Sequence, residues 1–446
     1  MKFNKLLKDD YEKWKEKDYI YEKESNDTNY KPKTFGKFIE DTYSLANYLL
    51  SLNLKDEKIL IYGKNSYNLM ISDLATTAFV GTSIVISKDL DANKIVDIIN
   101  KVNAKSLIYD SQKENVISEV KKFCNVICIN MAEYHLSIEK SDMFNLPEKD
   151  MDVCSKIVFS SGTTGPSKGV MLSLRNIFSG YNDLRRRVKF TQGDINYLFL
   201  PLNHTYGNIY NFYYSLIDGY SIYLSSSTNN IAKELLEVNP TIFCAVPLVY
   251  QKMIDNYGDK LNSAFGKNIK YLFCGGAPCS KETRNAYKDF NFLQAYALSE
   301  TASSFSIDYL NNQDDCSCGT IFESIDAKVY NPDKNGIGEI IVKGDNVFLG
   351  YVDEELTKEV FDENGYFHTG DLGKIDNNKL YLKGRKKNIL IGSNGINIDV
   401  EILISYLLSL NQHIKGARLY MIDNQLNANI YVSDVNRRLS IYNRKV

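Results

Sequence analysis

Residues 159–170 read FSSGTTGPSKGV and combine glycines, hydroxyl side chains and one lysine within a short stretch. Glycine adopts positive φ and lets the backbone approach an anion, so successive N–H groups can point into one concavity. The side chains that would add donors or charge are those of Ser160, Ser161, Thr163, Thr164 and Lys168. The composition of residues 160–168, called the glycine loop below, is that of a phosphate-binding segment.

The glycine loop also allows other interpretations. Gly, Ser, Thr and Pro form ordinary surface turns as well. The Walker pattern requires Gly-Lys-Ser/Thr, whereas Lys168 follows Ser167 and precedes Gly169. A Gly-x-Gly-x-x-Gly dinucleotide fingerprint is also missing, because Gly336 and Gly338 lack the third glycine. If this loop binds phosphate, it belongs to a class of phosphate-binding loop other than the Walker and dinucleotide types.

Length and composition limit the possible protein classes. The chain has 446 residues, which predicts two or three domains or one large domain with an appendage. Hydrophobic residues make up 44%, charged residues 24%, and the formal net charge is −2. This balance argues against a nucleic-acid partner and against a disordered chain. Any anion must therefore be bound by a few residues at one site and not by the overall charge of the chain.

No segment is typical of export or membrane insertion. The N-terminal sequence MKFNKLLKDDYEKWKEKDY is charged, and no later run reaches the roughly 18 apolar residues of a spanning helix. We expect a soluble, cytoplasmic protein without a transmembrane segment. Eight cysteines in a chain of this size do not suggest a disulfide scaffold, and Cys316-x-Cys318 is a weak metal motif. The cysteines are expected to be reduced and mostly buried.

The hydrophobic pattern predicts an α/β fold. From Phe35 to about Leu136, helical segments alternate with short apolar strands such as KILIYG, SIVIS and KSLIYD. The alternation returns after the glycine loop in NYLFLPL, SIYLS, TIFCAVP and IKYLFCGGAP. This order favours two similar α/β layers with parallel sheets.

The pattern changes near Cys318. Short alternating strands joined by Gly, Asn and Asp turns indicate an antiparallel β unit over about 318–384. We place a domain boundary at about Gly384, with residues 1–384 in the large domain. A helix from Val400 to Leu410 and a strand in NANIYVSD would complete a small, incomplete α+β domain over 385–446.

Five further motifs follow the glycine loop in a fixed order. They are PLNHTYG (201–207), GGAP (275–278), QAYALSET (294–301), YFHTGD (366–371) and GRKKNILIGSNG (384–395). With these motifs the chain resembles the ANL superfamily of adenylate-forming enzymes, and within it the long-chain acyl-CoA synthetases. The resemblance runs from about residue 34 to the C-terminus.

The resemblance implies a carboxylic acid ligase. Such an enzyme joins a carboxylate to the α-phosphate of ATP with loss of pyrophosphate, and then transfers the acyl group to coenzyme A. Two alternatives remain open: transfer to the phosphopantetheine of a carrier protein, and a pseudoenzyme that binds nucleotide or acyl groups. Amino-acid-activating relatives usually carry an Asp near His204, and NHTYGN has none. This favours fatty or aryl acids.

The resemblance also implies roles in binding ATP and Mg²⁺. The phosphate-binding residues would be Ser160, Ser161, Gly162, Thr163, Thr164, Gly165 and Lys168, with Thr163 and Lys168 also serving catalysis. Glu300 would hold Mg²⁺, which prefers oxygen ligands. Tyr296 would cover the adenine, with Gly276, Ala277 and Ser299 also at the nucleotide. The family usually has Gly and Thr where this chain has Ala297 and Ser299.

The remaining assignments concern the ribose, the acid and the thiol. Asp371 would accept the ribose hydroxyls and Arg385 would support it, since KLYLKG can return the chain as a hairpin. His204 would gate the carboxylate pocket, ahead of an aromatic stretch that could line an apolar slot. Lys387 would lie near the hinge of the small domain, and Gly395 beside the pantetheine channel.

One expectation concerns the last residues. The family's small domain continues into a Thr-x-Gly-Lys turn whose lysine reaches the carboxylate and α-phosphate, whereas this sequence ends at Val446 and Lys445 lacks that context. Loss of such a cation costs roughly 10²–10³-fold in rate. We expect intact nucleotide binding, slow or undetectable adenylation, and relatively better thioester formation from a supplied acyl-adenylate. The alternative is an incomplete small domain without useful activity.

Overall fold

The computed structural model describes residues 3–23, 28–134, 143–146, 148–160, 168–310, 314, 316–386, 389–391, 397–399, 407, 414–422 and 425–432. The chain packs as two compact units. The first unit comprises Met1–Asp326 and Lys343–Phe367, and the second comprises Ala327–Val342 and His368–Val446.

The α-helices are amphipathic or fully buried segments, several of them with side-chain caps. In chain order they are α1 (Phe3–Trp14), α2 (Phe35–Ser51), α3 (Tyr67–Ala75), α4 (Ala92–Val102), α5 (Glu114–Val120), α6 (Leu174–Arg187), α7 (Tyr214–Asp218), α8 (Ile231–Val238), α9 (Pro247–Tyr257), α10 (Lys281–Ala286) and α11 (Glu354–Val360). Thr34, Ser66, Asp91 and Ser173 accept backbone N–H groups and so fix where α2, α3, α4 and α6 begin.

Other helical types occur as short segments. The π-helices are Thr76–Val80 and Tyr206–Tyr213. The 3₁₀ segments are Ser111–Lys113, Met131–Glu133, Thr228–Asn230, Gly258–Ser263 and Ser299–Thr301. Extended π-helices are rare, and those found inside helical regions often lie at functional sites.

Many of the strands follow the expected apolar runs, whereas β1 and β2 were not expected. In chain order they are β1 (Asp18–Glu22), β2 (Lys31–Thr34), β3 (Lys58–Tyr62), β4 (Thr82–Ile86), β5 (Ser106–Tyr109), β6 (Ile127–Asn130), β7 (Cys154–Ser160), β8 (Lys168–Ser173), β9 (Ile195–Leu198), β10 (Ser221–Leu224), β11 (Ile242–Ala245), β12 (Tyr271–Cys274), β13 (Phe292–Ala297), β14 (Ser304–Ile307), β15 (Thr320–Ile321), β16 (Asp326–Tyr330), β17 (Gly338–Lys343), β18 (Gly350–Tyr351), β19 (Phe367–Asp376), β20 (Lys379–Arg385), β21 (Ile389–Ile391), β22 (Asn397–Asp399), β23 (Ile414–Ile422) and β24 (Gln425–Val432).

The first unit contains two large sheets. One has the order β18-β8-β7-β4-β3-β5-β6, and its strands from β7 to β6 run parallel. The other contains the order β15-β14-β13-β12-β11-β9-β10-β1-β2, with the strands from β13 to β1 parallel. The predicted pair of α/β layers with parallel sheets is confirmed.

Each sheet of the first unit has its own hydrophobic core. The first sheet packs on α4 and α5 through residues that include Leu60, Ile95 and Ile117, which are fully buried. The second sheet packs on α8, α9 and α10 through Phe243, Tyr250 and neighbouring aromatic side chains. Because strands in such sheets are apolar on both faces, sequence pattern alone identifies them well.

The second unit is built from antiparallel strands. Its sheet order is β16-β17-β19-β20, and β19 pairs with β20 in antiparallel register. Two further hairpins join β21 to β22 and β23 to β24. The expected strand in NANIYVSD is confirmed as part of β24. The helix expected over Val400–Leu410 lies, apart from Leu407, outside the described residues, and the boundary expected at Gly384 stays a prediction.

Candidate active site

The glycine loop lies between two paired strands. Ser160 is the last residue of β7 and Lys168 the first of β8, and the antiparallel register places them opposite each other. Five of the predicted phosphate ligands fall outside the described residues, namely Ser161, Gly162, Thr163, Thr164 and Gly165. For Ser160 only the backbone is described.

Lys168 and Glu300 are linked by one tyrosine. The Tyr351 hydroxyl donates a 2.7 Å hydrogen bond to Oε1 of Glu300, and Nζ of Lys168 lies 4.6 Å from the centroid of the Tyr351 ring. Tyr351 is buried and belongs to the two-residue strand β18, which pairs with β8. No motif in the sequence singled out Tyr351, because its partners lie far away along the chain.

A glycine allows β18 to lie close to β8. A Cβ at Gly169 would lie 2.7 Å from Cγ2 of Val352, and the Val352 N–H donates to the Gly169 carbonyl at 2.8 Å. The Phe348 N–H also donates to the carbonyl of Glu300 at 2.8 Å. Backbone contacts on both sides of Tyr351 therefore fix the distance between its ring and the two charged residues.

The turn that carries Glu300 is held by Thr301. Its Oγ1 accepts the Leu298 N–H at 3.1 Å and donates to the Ser303 carbonyl at 2.8 Å. Ala302 adopts φ +55°, a conformation that costs a non-glycine residue about 1–3 kcal/mol. Such strain is typical of functional sites, and here it lies two residues after the predicted metal ligand Glu300.

Three of the predicted site residues follow the carboxyl ends of parallel strands. His204 comes after β9, Gly276 after β12 and Glu300 after β13, and the spatial order of these strands is β9-β11-β12-β13. In parallel α/β sheets, ligands bind at the carboxyl ends of the strands. The fold therefore brings these three residues to one edge of one sheet.

The residues predicted at the nucleotide differ in exposure. Gly276, with φ +81°, and Ala277 are exposed beyond the end of β12. Tyr296 in β13 is buried, and its ring packs edge-to-face on Phe305 with centroids 5.0 Å apart. Ser299 is half-buried in the turn beside Glu300.

The loop carrying His204 is held in place by Asn65. The Asn65 side chain donates to the Leu200 carbonyl at 2.8 Å and accepts the Leu202 N–H at 3.1 Å. A Cβ at Gly207 would lie 2.4 Å from the Pro201 carbonyl oxygen, so the motif requires glycine there. His204 itself is exposed, yet the protein around the imidazole removes part of its solvent and lowers its pKa.

The aromatic stretch after His204 forms the π-helix Tyr206–Tyr213, whose members from Gly207 onward are buried. The Tyr206 hydroxyl donates to the Phe273 carbonyl at 2.9 Å, and the Tyr210 ring lies 5.3 Å from that of Phe273. This contact joins the His204 loop to the end of β12. The apolar slot expected along this stretch stays a prediction.

A buried ion pair lies beneath the same helix. Lys156 of β7 pairs with Asp73 of α3, and both side chains are almost fully buried. The Asn208 side chain donates to the other Asp73 oxygen at 2.8 Å. The group connects the strand that leads into the glycine loop with the π-helix that follows His204.

In the second unit, Asp371 and Arg385 lie opposite each other in the β19–β20 pair. Arg385 Nε is 3.0 Å from Asp371 Oδ1, and Asp371 is buried while about half of the Arg385 side chain is exposed. The proximity expected from the hairpin is confirmed, and the ribose role stays a prediction. Lys387 and Gly395 lie outside the described residues.

Glu339 supports the turn before Asp371, and no sequence motif pointed to this residue. It accepts the Gly370 N–H at 3.1 Å and pairs with His368 at 3.1 Å and Lys386 at 3.2 Å. Burial raises the pKa of Glu339, but the hydrogen bonds from His368 and Lys386 outweigh it and the net pKa is lowered. The backbone of the turn is thus fixed by a charged acceptor.

The comparison with protein families shows which family the chain belongs to. The model of the AMP-binding enzyme family matches residues 8–352. The chain belongs to the AMP-binding enzyme family. It is therefore an adenylate-forming enzyme of the acyl-CoA synthetase type, as the ordered motifs implied.

Curated relatives of this AMP-binding enzyme are CoA ligases. The long-chain-fatty-acid–CoA ligase ACSBG2 of Mus musculus is 24% identical, over 85% of this chain and 70% of the relative. The Xenopus laevis protein of the same name is also 24% identical, over 76% of this chain and 57% of the relative. The 2-succinylbenzoate–CoA ligase of Staphylococcus epidermidis is 25% identical, over 83% and 76% of the two chains.

Solved structures share the fold of this AMP-binding enzyme. O-succinylbenzoate CoA synthetase from Bacillus subtilis, in complex with ATP and magnesium, has a TM-score of 0.80 and 22% identity. The match covers 96% of this chain and 89% of that one. ATP-bound MatB from Rhodopseudomonas palustris has a TM-score of 0.79 and 21% identity, covering 96% and 88%.

Two further features of the described residues concern metals and membranes. Within the described residues, no group of three or more His, Cys, Asp or Glu side chains could hold a metal ion. In the same part of the chain, no helix is both long and apolar enough to cross a bilayer. The cytoplasmic location stays an expectation.

Proposed function

We propose that this chain joins an apolar carboxylic acid, of the fatty-acid class, to ATP and transfers the acyl group to coenzyme A. The observation that carries the proposal is the Tyr351 contact with both Lys168 and Glu300, beside the sheet edge that also bears His204 and Gly276. A cation and a carboxylate at one site suit a reaction in which phosphate charge must be neutralised and held in line.

The donor set at Glu300 fits Mg²⁺. Glu300 Oε1 accepts the Tyr351 hydroxyl. A carboxylate oxygen is the type of ligand that Mg²⁺ prefers. When bound, the ion would neutralise charge on the phosphate oxygens. Tyr351 would orient Glu300, and Lys168 would contribute a positive charge at the end of the glycine loop.

We assign further nucleotide contacts to residues of the sequence motifs. Asp371 would offer its carboxylate oxygens to two vicinal hydroxyls, and Arg385 Nε lies 3.0 Å from one of those oxygens. Tyr296, Gly276, Ala277 and Ser299 would contact the base and the phosphates. The ATP bound in the Bacillus and Rhodopseudomonas structures supports the choice of nucleotide.

The acid would enter beside His204. Its lowered pKa keeps the imidazole neutral at pH 7, so the gate carries no charge that would require a counter-ion in an apolar pocket. The aromatic π-helix that follows supplies apolar surface. Relatives named for long-chain fatty acids support an acyl chain, and the relative named for 2-succinylbenzoate makes an aryl acid the second substrate to test.

Acid-dependent exchange of labelled pyrophosphate into ATP tests the proposal. The panel should contain saturated fatty acids of several lengths, 2-succinylbenzoate and amino acids, followed by addition of coenzyme A. We expect exchange with fatty acids and none with amino acids, because an unpaired buried ammonium costs several kcal/mol. ATP binding without exchange for any acid would contradict the proposal, and faster exchange with an amino acid would contradict the substrate class.

A further inference from the structure

Asp73 of α3 is a buried carboxylate at which several segments of the first unit meet. Its two oxygens have different partners. Oδ2 accepts the Asn208 amide at 2.8 Å, whereas Oδ1 accepts the Lys156 ammonium and the Ser83 hydroxyl. One carboxylate therefore joins the π-helix Tyr206–Tyr213 to strands β4 and β7.

The Asn208 side of this link leads to the segment proposed for the acid. The Asn208 backbone N–H donates to the His204 carbonyl at 2.9 Å, so the residue that bonds Asp73 is also bonded to the proposed gate. Within the described part of the chain, the buried side-chain oxygen of Asn208 has no hydrogen-bond partner. An apolar side chain would fill the same space without leaving a polar atom unpaired. The bond to Asp73 is thus what the Asn208 amide contributes.

The Lys156 side of the link leads to the lysine proposed for the phosphates. Lys156 lies in β7 opposite Leu172 of β8, and the same antiparallel pairing places Ser160 opposite Lys168. The Lys168 ammonium in turn lies 4.6 Å from the centroid of the Tyr351 ring. A displacement of Lys156 therefore moves the strand pair that carries Lys168.

Burial makes this link stiff. The side chains of Lys156 and Asp73 are at most 2% exposed, and the Tyr213 ring of the π-helix lies 5.2 Å from the Lys156 ammonium. Burial lowers the pKa of Lys156, and the charge of Asp73 opposes this effect. Separating the two charges would leave one of them buried and uncompensated. Since close-packed interiors transmit strain, the carboxylate and its partners move as one group.

We propose that Asp73 is a positioning residue that couples binding of the acid to binding of ATP. The inference rests on the proposed function of this site. Acid bound beside His204 fixes Asn208, and the Asp73 carboxylate passes that constraint to Lys156 and the β7–β8 pair. By thermodynamic linkage, each substrate then tightens the binding of the other by the same factor.

Calorimetry with two probes measures this coupling in the full chain. Decanoate represents the acid. The nucleotide is α,β-methylene ATP, whose methylene bridge replaces the oxygen that leaves with pyrophosphate and so prevents adenylation. Binding of this analogue, with Mg²⁺ present, is measured without and with saturating decanoate. In the parent, decanoate should tighten binding of the analogue about fivefold or more, and the analogue should tighten binding of decanoate by the same factor.

Two variants remove the link in different ways. Asn208→Ala removes the amide that bonds Oδ2, and Asp73→Leu/Lys156→Met replaces the ion pair by apolar side chains, a change that buried pairs often tolerate. In both variants the coupling factor should fall to about one, whereas affinity for the analogue without acid should stay within about twofold of the parent. Thermal unfolding shows whether each variant is folded, and Asn208→Ala alone decides the test if the double variant is not.

The matched control is Glu234→Gln. Glu234 is another buried carboxylate of the first unit, and it accepts the Tyr197 hydroxyl at 2.7 Å and the Ser226 N–H at 3.2 Å. Loss of its charge should lower stability and leave the coupling factor at the parent value. The control thus separates a specific link from a general loosening of the fold.

Each result bears on the inference. Loss of coupling in the folded variants, with affinity for the analogue retained, supports it. Coupling that persists in either folded variant overturns it, as does an equal loss of coupling in Glu234→Gln. Weak binding of the analogue without acid in Asn208→Ala would show a merely structural role and also overturns it.

Failure of the proposed function gives a different result. If both probes bind the parent without affecting each other, the inference is overturned and the proposed function stands. If the parent binds no analogue or no decanoate, the proposed function itself fails, and the inference fails with it.

Discussion

The Tyr351 side chain contacts both Lys168, through its ring, and Glu300, through its hydroxyl. The hydrogen bond directs Oε1 of Glu300 toward the tyrosine. Because Tyr351 is buried, the geometry is held by packing as well as by the bond. This makes Tyr351 a positioning residue for the proposed metal ligand.

The substitution Tyr351→Phe should lower kcat about tenfold and leave KM for ATP nearly unchanged, since it removes a hydrogen bond to a charged group but keeps the ring beside Lys168. Steady-state kinetics with the best acid of the panel measures both constants. Tyr309→Phe is the matched control, because it removes a hydroxyl that bonds Glu323 at 2.9 Å, and it should leave both constants unchanged. A rise in KM at constant kcat would show that Tyr351 acts on nucleotide binding instead.

Asp371→Asn and Glu300→Gln should separate binding from chemistry. The first removes the charged acceptor proposed for the ribose, so ATP affinity in calorimetry should fall about tenfold or more. The second removes the proposed Mg²⁺ ligand, so ATP affinity without Mg²⁺ should persist while the exchange rate falls. Unchanged ATP affinity in Asp371→Asn would mean that the ribose assignment is wrong.

Glu339→Ala should weaken ATP binding less than Asp371→Asn does. It leaves the Gly370 N–H without its acceptor and frees His368 and Lys386, so the turn before Asp371 loses its anchor. Glu339→Gln keeps an oxygen for the Gly370 N–H and should retain most of the affinity. If both variants bind ATP like the parent, Glu339 has no positioning role.

Gly207→Ala should destabilise the protein, and more strongly than an ordinary surface substitution. Its Cβ would lie 2.4 Å from the Pro201 carbonyl oxygen, so the His204 loop would have to move. Gly180→Ala, in α6, is the control, because its Cβ would meet neighbours at 3.5 Å or more and Ala favours a helix by about 0.5–1 kcal/mol. Thermal unfolding of both variants measures the difference; equal melting temperatures would contradict the steric argument.

Asp218 should make stability depend on pH. Burial and the charge of Asp10 raise its pKa to about 6, while the Tyr181 hydroxyl donates to it and Arg185 lies 3.4 Å away. A raised carboxyl pKa means that the folded state binds the proton more tightly, so stability from this group falls as pH rises from about 4 to about 6.

As the pH rises from 4 to 7, the free energy of unfolding of Asp218→Asn should therefore increase relative to that of the parent by on the order of 1 kcal/mol. Urea unfolding of both proteins at each pH measures this gain. Asp89→Asn, at an exposed position, should show no such trend. A parent–variant difference that stays constant across the range would contradict the raised pKa.

The sequence predicted those elements whose signal is local. Buried strands such as β3 and β12 are short apolar runs between turn residues, and Glu300 and Asp371 lie in recognisable motifs. Tyr351 and Glu339 were missed because each acts through contacts with distant segments and carries no local pattern. The N-terminal α1, β1 and β2 were missed too, since their charged sequence hides the few apolar residues that they bury. The π-helices were expected only as helical stretches, because the sequence pattern does not separate π from α geometry.

Strand β1 pairs in parallel with β10, with Ile20 opposite Ile222, and near this pair the Lys17 ammonium donates to the carbonyl of Gly219, 202 residues away. At a synthesis rate of about 5–20 residues per second, the N-terminal strand waits roughly 10–40 s for its partner to be made. During that time its buried tyrosine and isoleucine are exposed to solvent and to other chains. Charged residues next to an unpaired strand disfavour its pairing with other chains, and Asp18 and Glu22 of β1 are of this type.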